Sequence, residues 1–226
     1  MAKEKMKRIV IMVAVLFLGS FPALCAFAFE NGDWQFWNTY GADAKLGEKV
    51  TLKGENELRF GDGMGELYYD HIDTGIYYKA TDWLDLGINY RHIWEKKARY
   101  KWAEEYRPHF NGVFKWQWWD LEFKDRNRVE LRIRDGKEDK WRYRNKLTMS
   151  YPVEIKDIEV APYVADEIFV DFHGTRLNRN RLYGGVQIKL YKHIKADIFY
   201  LWQTSKDKPG KWTGYNVLGA KLKAVF

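Results

Sequence analysis

Apolar and polar side chains alternate with a period of two along almost the whole chain after Trp34. Between Leu84 and His92, for example, the even positions are apolar, aromatic or histidine, and the odd positions are polar or glycine. Successive side chains of a β-strand point to opposite faces, whereas a helix repeats about every 3.6 residues. No segment of useful length has the helical repeat, so the sequence predicts an all-β protein.

The alternating segments predict eleven strands, joined by turns that are alternately short and long. Their predicted ranges are 34–44, 49–60, 66–79, 83–95, 104–116, 119–134, 140–150, 158–172, 179–191, 194–204 and 212–226. Short turns at one rim and longer loops at the other are typical of outer-membrane barrels, whose bacterial single-chain members have even strand numbers. We therefore expect an antiparallel transmembrane β-barrel of 10–12 strands, with ten or twelve as the favoured counts.

The lengths of the predicted strands favour a membrane barrel over a soluble sandwich. Several run for 11–16 residues, whereas strands of soluble sheets most often have about 5–6 residues and tilted membrane strands about 9–11. Tryptophans near the strand ends match the aromatic girdles of membrane barrels. The predicted girdle residues are Trp83, Trp94, Trp116, Trp119, Trp202 and Trp212. A soluble barrel or sandwich with these rings in its core is the alternative.

Composition excludes several other classes of protein. Aromatic residues make up 17% of the chain, with 11 Trp, 15 Tyr and 13 Phe, and disordered chains are poor in aromatics. A single Cys cannot form an intrachain disulfide or a Cys-rich zinc site. The one long apolar run lies at the N-terminus, which excludes a bundle of membrane-spanning helices.

Residues 1–28 have the pattern of a secretory signal peptide. Four basic residues within positions 1–8 precede an apolar run at 9–18, and the small-x-small motif Ala26-Phe27-Ala28 follows. The run is shorter than the roughly 17–25 residues of a membrane-spanning helix, and the order of these segments matches an export signal. We predict cleavage after Ala28, which leaves residues 29–226 as a barrel located in the bacterial outer membrane.

The C-terminus and one basic segment predict partners for the exported barrel. Phe226 ends an alternating segment and resembles the C-terminal signal by which outer-membrane proteins are recognised, so the barrel-assembly machinery is a predicted partner. Residues 96–101 are predicted to form a solvated loop whose positive charge suits the phosphates of lipopolysaccharide. Outer-membrane lipid and lipopolysaccharide are therefore expected partners, whereas export excludes nucleic acid.

If the apolar face meets lipid, the polar face lines the lumen. Seven predicted lumen cations, here called the basic track, are Arg126, Arg128, Arg132, Arg134, Arg142, Arg144 and Lys146. The predicted acidic partners are Glu55, Glu57, Glu130, Glu159 and Glu167. Enclosed charges need water or a partner. The excess of adjacent cations predicts a narrow channel that favours small anionic solutes, and a structural barrel plugged by salt bridges is the alternative.

A further alternative is an outer-membrane hydrolase with its site at the loop rim. Such a site needs a nucleophile and a base within hydrogen-bond reach. Ser205 and His173 are the one Ser–His pair predicted to share the long-loop rim, and Asp171 with His173 could form an Asp–His pair. We predict instead that His173 is a solvated loop residue and that the chain is not an enzyme. No spacing of ligand residues indicates a metal site, and no cofactor is expected.

Several short motifs resemble one uncharacterised bacterial family. The motifs are Arg126–Arg132 with Tyr143-Arg144, Glu55–Arg59, Ile88–Arg91 and Asp166–Phe169, and the resemblance extends over most of residues 34–226. On these residues the chain resembles domain-of-unknown-function family 2490, whose members are exported β-barrels. The resemblance implies the fold and the location, and it identifies no catalytic residues.

Overall fold

The computed structural model describes residues 31–98, 101–173, 176–206 and 210–226. The predicted signal peptide at residues 1–28 lies outside the described residues. The described residues contain no helix that is long and apolar enough to cross a membrane. They form β1 (Trp34–Lys45), β2 (Val50–Gly61), β3 (Glu66–Lys79), β4 (Leu84–Ala98), β5 (Lys101–Trp118), β6 (Leu121–Arg134), β7 (Lys140–Ser150), β8 (Val153–Ile155), β9 (Ile158–Asp171), β10 (Arg176–Tyr191), β11 (Ile194–Lys206) and β12 (Trp212–Val225).

Eleven of these strands form one closed barrel. Antiparallel pairs connect β1 through β7 in order, then β7 to β9, and β9 through to β12. The barrel closes where β12 pairs with β1 in parallel, from Trp34 opposite Asn216 to Asp43 opposite Val225. The first and last of eleven alternating strands run in the same direction, so the closing pair is parallel. The three-residue β8 pairs with the start of β9, next to the segment of β9 that pairs with β7.

The predicted all-β barrel of 10–12 strands is confirmed, and its count of eleven falls between the two even numbers that we favoured. The main difference from the predicted ranges lies between β4 and β5. The loop predicted at 96–103 is largely strand, since Lys96 pairs with Trp102 and Ala98 with Lys101. This end of the hairpin has few apolar residues on either side, so the hydrogen-bond ladder continues where the alternation has already ended.

The two faces of the wall are arranged in the opposite sense to those of a soluble barrel. Apolar side chains point outward, so that Ile88 on β4 is 63% exposed and Leu222 on β12 is 44% exposed. The arginines point inward, and Arg128, Arg142 and Arg144 are buried. The polar, Arg-rich interior predicted from the alternation is therefore present.

The residues of the predicted girdle lie at or near the ends of strands. Trp83 and Trp119 occupy turns at one rim, and the rings of Trp116 and Phe123 stack near that rim with centroids 5.3 Å apart. Trp94 is half-buried and its ring lies beside that of His92. The other five residues of the predicted girdle are exposed, namely Trp83, Trp116, Trp119, Trp202 and Trp212. Their role at a lipid interface stays a prediction.

Some outward-facing side chains are polar, and they hydrogen-bond to one another. Asn145 on β7 donates to Asp125 on β6 at 2.5 Å, and the Tyr143 hydroxyl donates to Asn127 at 2.5 Å. Asn127 in turn donates to Asp125 at 3.0 Å. These outward-facing polar groups thus supply hydrogen-bond partners to one another.

One sector of the interior is apolar. Trp37, Tyr163, Tyr183, Leu201 and Val217 are buried together on the inner faces of β1, β9, β10, β11 and β12. The alternation did not predict this cluster, because it predicts charges on the inner face and places apolar residues outside. The cluster fills one side of the lumen, and Arg59, Arg181 and Lys146 contact its rings.

Gly185→Ala is expected to lower the free energy of unfolding by about 1–3 kcal/mol, the usual cost of overpacking. A Cβ at position 185 would lie 2.7 Å from the Phe199 Cβ and 2.9 Å from both the Ile198 carbonyl oxygen and the Tyr163 ring. Urea unfolding in detergent micelles would measure the change. Gly184→Ala is the matched control, since nothing lies within 4 Å of its Cβ position. Equal effects of the two substitutions would contradict the close packing at Gly185.

Candidate functional site

The basic track lies on two adjacent strands of the inner wall. Its members on β6 are Arg126, Arg128, Arg132 and Arg134, and those on β7 are Arg142, Arg144 and Lys146. In the ladder Arg128 lies opposite Arg144, and Arg126 lies opposite Lys146. Like charges on opposite positions repel by a few tenths to about 1 kcal/mol per pair. The compensating acids come mainly from other strands.

Glu167 on β9 binds two of these cations and one further arginine. Its Oε1 accepts from Arg126 Nη2 at 2.6 Å and from Arg144 Nη2 at 2.8 Å. Its Oε2 lies 3.5 Å from Arg181 Nη1 and accepts from the Tyr183 hydroxyl at 3.0 Å. Glu167 is 1% exposed, so this carboxylate and its guanidiniums form a buried ionic cluster.

Glu130 lies within the basic track and is also fully buried. Arg144 Nη1 lies 3.3 Å from Glu130 Oε2, while Arg142 Nη1 and Arg107 Nη1 lie 3.8 Å and 3.9 Å from Oε1. Arg144 therefore contacts both Glu130 and Glu167. This shared arginine joins the two carboxylates into one network across β6, β7 and β9.

Glu105 on β5 is a lumen acid that the sequence analysis missed. It accepts from Arg107 Nε at 2.7 Å and from Arg132 at 2.5 Å and 2.9 Å. The two contacts with Arg132 form a bidentate pair, the strongest arrangement of guanidinium and carboxylate. The signal was present in the alternation, because Glu105 has the same parity as Arg107 and His109 on one strand.

A second network is formed by side chains of β2, β3, β4, β5 and β12. Asp73 accepts from Arg91 Nε at 2.8 Å and lies 2.9 Å from His109 Nε2. Glu55 contacts Arg91 at 3.3 Å and Lys221 at 2.7 Å. Asp73 was not among the predicted acidic partners, whereas Glu55 was. Arg91 connects the two acids in the same way that Arg144 connects Glu130 and Glu167.

The two remaining predicted acids differ in position. Glu57 accepts from Arg59 Nη2 at 2.6 Å and from the Thr39 hydroxyl at 3.3 Å inside the barrel. Glu159 lies at the short-turn end of β9, where it is 63% exposed and pairs with Lys189. Among the described residues Glu159 has no ion pair with the basic track, because this end of β9 pairs with β8 and not with β7.

Some cations of the basic track are not paired with acids among the described residues. Arg128 Nε donates to the Asn111 amide oxygen at 2.8 Å, and Arg128 Nη1 is buried without a hydrogen-bond partner. The Lys146 ammonium lies 3.5 Å above the Tyr183 ring, a cation–π contact. Arg134 Nε is also buried without a hydrogen-bond partner. The pairing of the track is therefore extensive but incomplete.

Two cavities lie inside the described barrel, on opposite sides of the ionic networks. One cavity of about 380 Å³ opens towards the rim of the longer loops, and a smaller one of about 140 Å³ lies on the other side. They share no lining residue. Arg91 lines the larger cavity, and its partners Asp73 and Glu55 line the smaller one. Arg144 lines the larger cavity and Arg126 the smaller one, and both bind Glu167. The ion pairs thus lie between the two cavities.

The residues of the hydrolase alternative are not joined in a catalytic arrangement. The Ser205 hydroxyl oxygen accepts from Arg179 Nε and Gln203 Nε2, both at 3.1 Å. Asp171 forms an ion pair with Arg142 at 2.5 Å. Among the described residues, no hydrogen bond connects His173 to either Asp171 or Ser205. Within the described residues, no group of three or more His, Cys, Asp or Glu side chains could hold a metal ion.

The comparison with solved structures corrects one prediction. The chain is similar to LpxR from Salmonella typhimurium, with a TM-score of 0.49, 9% sequence identity and coverage of 78% of this chain and 83% of that one. LpxR is an outer-membrane lipid A deacylase. This finding contradicts the prediction that the chain is not an enzyme, and it assigns the chain no activity of its own. At this identity the similarity concerns the fold alone.

The sequence comparisons identify the family. No curated protein matches the chain. A family model described as "Protein of unknown function (DUF2490)" matches residues 34–214, which include every strand of the barrel except most of β12. The motifs that suggested this family, from Glu55–Arg59 to Asp166–Phe169, all lie within the matched region. The chain belongs to the DUF2490 family.

Proposed function

We propose that this protein is an integral outer-membrane β-barrel whose lumen is closed by salt bridges. The observation that carries this proposal is the position of the ion pairs between two cavities that share no lining residue. Arg91 with Asp73, and Glu167 with Arg126 and Arg144, lie at that level and connect adjacent strands or strands one apart along the inner wall. This arrangement favours the plugged barrel over the anion channel, because a solute would have to break buried ion pairs in order to pass.

The outer surface supports the proposed membrane location. Large apolar side chains are exposed along the strands, including Ile76, Ile88, Phe110 and Ile198 at more than half of their area. Soluble monomers seldom expose contiguous apolar patches of more than a few hundred Å². Lipid around the barrel would cover this surface and leave the inverted polar face enclosed.

The two rims suggest an orientation and partners. Phe226 lies at the rim of the short turns, where its amide donates to the Asp43 carbonyl at 2.9 Å. We propose that this strand is the segment recognised by the barrel-assembly machinery and that its rim faces the periplasm. The opposite rim would then meet lipopolysaccharide. The lysines predicted to bind lipopolysaccharide lie at that rim, where Lys96 pairs with Glu66 and Lys97 with Glu95.

The closed lumen is tested by planar-bilayer recordings of the purified, folded protein in concentrated KCl. We expect no stepwise conductance, because the interlocked side chains leave no continuous water path. A general porin inserted in the same bilayer is the positive control, and heat-modifiable mobility on gels confirms that the test protein is folded. Stepwise conductance of either selectivity would contradict the proposal.

Export and location need a separate experiment. We propose that the predicted signal peptide is removed after Ala28, so that the N-terminal residue of the mature protein is Phe29. Fractionation of bacterial membranes followed by N-terminal sequencing would test both points. Recovery in the inner membrane, or a chain that retains residues 1–28, would contradict the proposed location and cleavage.

A further inference from the structure

The larger cavity has an unusually basic lining. Eight arginines reach it from six strands, and Glu95 is the one acidic residue among its described lining residues. These arginines are Arg59, Arg91, Arg107, Arg132, Arg142, Arg144, Arg179 and Arg181. Its volume of about 380 Å³ is at the lower end of the roughly 300–1,000 Å³ typical of small-molecule sites. The cavity is therefore suited to a small ligand with negative charge.

Four of these guanidiniums surround a single aromatic ring. The distances from the Phe169 centroid are 4.5 Å for Arg144, 4.8 Å for Arg181, 5.5 Å for Arg179 and 5.9 Å for Arg142. Cation–π contact stabilises each of them, but their mutual repulsion rises as they approach. An anion bound among them would relieve that repulsion.

Arg179 differs from its neighbours in its pairing. Arg144 and Arg181 share Glu167, and Arg142 pairs with Asp171. Arg179 has no ion pair with a carboxylate among the described residues, and its Nε donates to the Ser205 hydroxyl at 3.1 Å. Its positive charge is therefore available to a ligand in the cavity.

The neighbouring arginines are held in position before any ligand binds. Arg59 lies 3.7 Å from the Trp37 ring and 4.1 Å from the Tyr69 ring. Arg181 contacts the same Trp37 ring at 4.7 Å, and its Nε donates to the Gln203 amide oxygen at 2.6 Å. Planar guanidiniums fixed in this way suit the oxygen atoms of a phosphate group.

We propose that this cavity binds the phosphate of a small polyanion, with Arg179 as the main ligand and Arg181 and Arg59 beside it. The neutral donors Ser205 and Thr213 also line the cavity and add hydrogen-bonding groups. The site opens at the rim of the longer loops and does not require passage through the lumen. This inference is independent of whether the barrel conducts, so either proposal can fail without the other.

Binding of pyrophosphate to the folded protein in detergent, measured by isothermal titration calorimetry, tests the site. We expect binding by the wild-type protein, and binding about tenfold to a hundredfold weaker in Arg179→Gln, because a charge-assisted contact is lost. Lys189→Gln at the opposite rim is the control and should bind as tightly as the wild-type protein. Arg179→Lys, which keeps the charge without the planar fork, should fall between them.

A second set of measurements separates a site from a folding effect and a free anion from a lipid. Pyrophosphate should raise the unfolding midpoint of the wild-type protein but not that of Arg179→Gln. Lipopolysaccharide in detergent forms the other arm of the test. Arg179-dependent binding of lipopolysaccharide alone would assign the phosphate to a lipid headgroup. Binding of neither probe, or equal binding by the wild-type protein and folded Arg179→Gln, would overturn the proposal.

Discussion

Glu167→Gln is expected to lower the free energy of unfolding by about 3–5 kcal/mol, as when one partner of a buried ion pair is removed. Glu167 is 1% exposed and holds Arg126 and Arg144 at 2.6 Å and 2.8 Å. The amide preserves the shape of the side chain but removes its charge, so the buried guanidiniums lose their shared counter-ion. Urea unfolding in lipid vesicles, followed by tryptophan fluorescence, would measure the loss.

Glu159→Gln is the matched control for this substitution. Glu159 lies on the same strand and also forms an ion pair, but it is 63% exposed, and exposed pairs contribute about 0–1 kcal/mol. The double variant Glu167→Gln/Arg126→Gln should lose less than the sum of its single variants, because the two residues interact directly. Equal losses for Glu167→Gln and Glu159→Gln would contradict the buried ionic network.

Ile88→Arg is expected to destabilise the protein in a bilayer by about 2–4 kcal/mol, the cost of a cation on the lipid-facing surface near the midplane. Ile88 lies on β4 between Trp83 and Trp94, and its side chain is 63% exposed. On a soluble barrel the same substitution at such an exposed position would usually change stability by no more than about 0.5 kcal/mol. Urea unfolding in vesicles therefore distinguishes the two environments of this surface.

Leu46→Arg provides the comparison at the rim. Leu46 is 56% exposed in the connection between β1 and β2, where the cost of a cation falls to about 0–1 kcal/mol. The expected result is a large effect at position 88 and a small one at 46. Small effects at both positions would contradict the proposal that lipid surrounds the middle of the barrel.

Alternation predicted which side chains share a face, and it did so without any knowledge of strand pairing. Ile88 and Arg91 on β4, for example, were assigned correctly to opposite faces from parity alone. The reason is geometric, because one residue of separation along an extended strand always reverses the direction of the side chain. The same rule placed all seven members of the basic track inside.

The pairing of the charges could not be obtained in this way. The positions next to Arg126 and Arg132 in the sequence supply few acids, and this local excess of cations is what predicts an anion channel. Their partners Glu167 and Glu105 lie 41 and 27 residues away in the chain. Whether distant side chains meet depends on the register between strands and on the stagger around the barrel. The alternation of apolar and polar residues gives no information on either.

The sequence by itself determined the β-class, the approximate strand ranges, the enclosure of the arginines and the family, because each depends on local order along the chain. Only the tertiary structure decided the count of eleven with its parallel closure, the apolar sector around Trp37, and the ion pairs that separate the two cavities. These features depend on which strands become neighbours and on the register in which they pair. That choice is made by packing and closure of the whole wall, which no local pattern specifies.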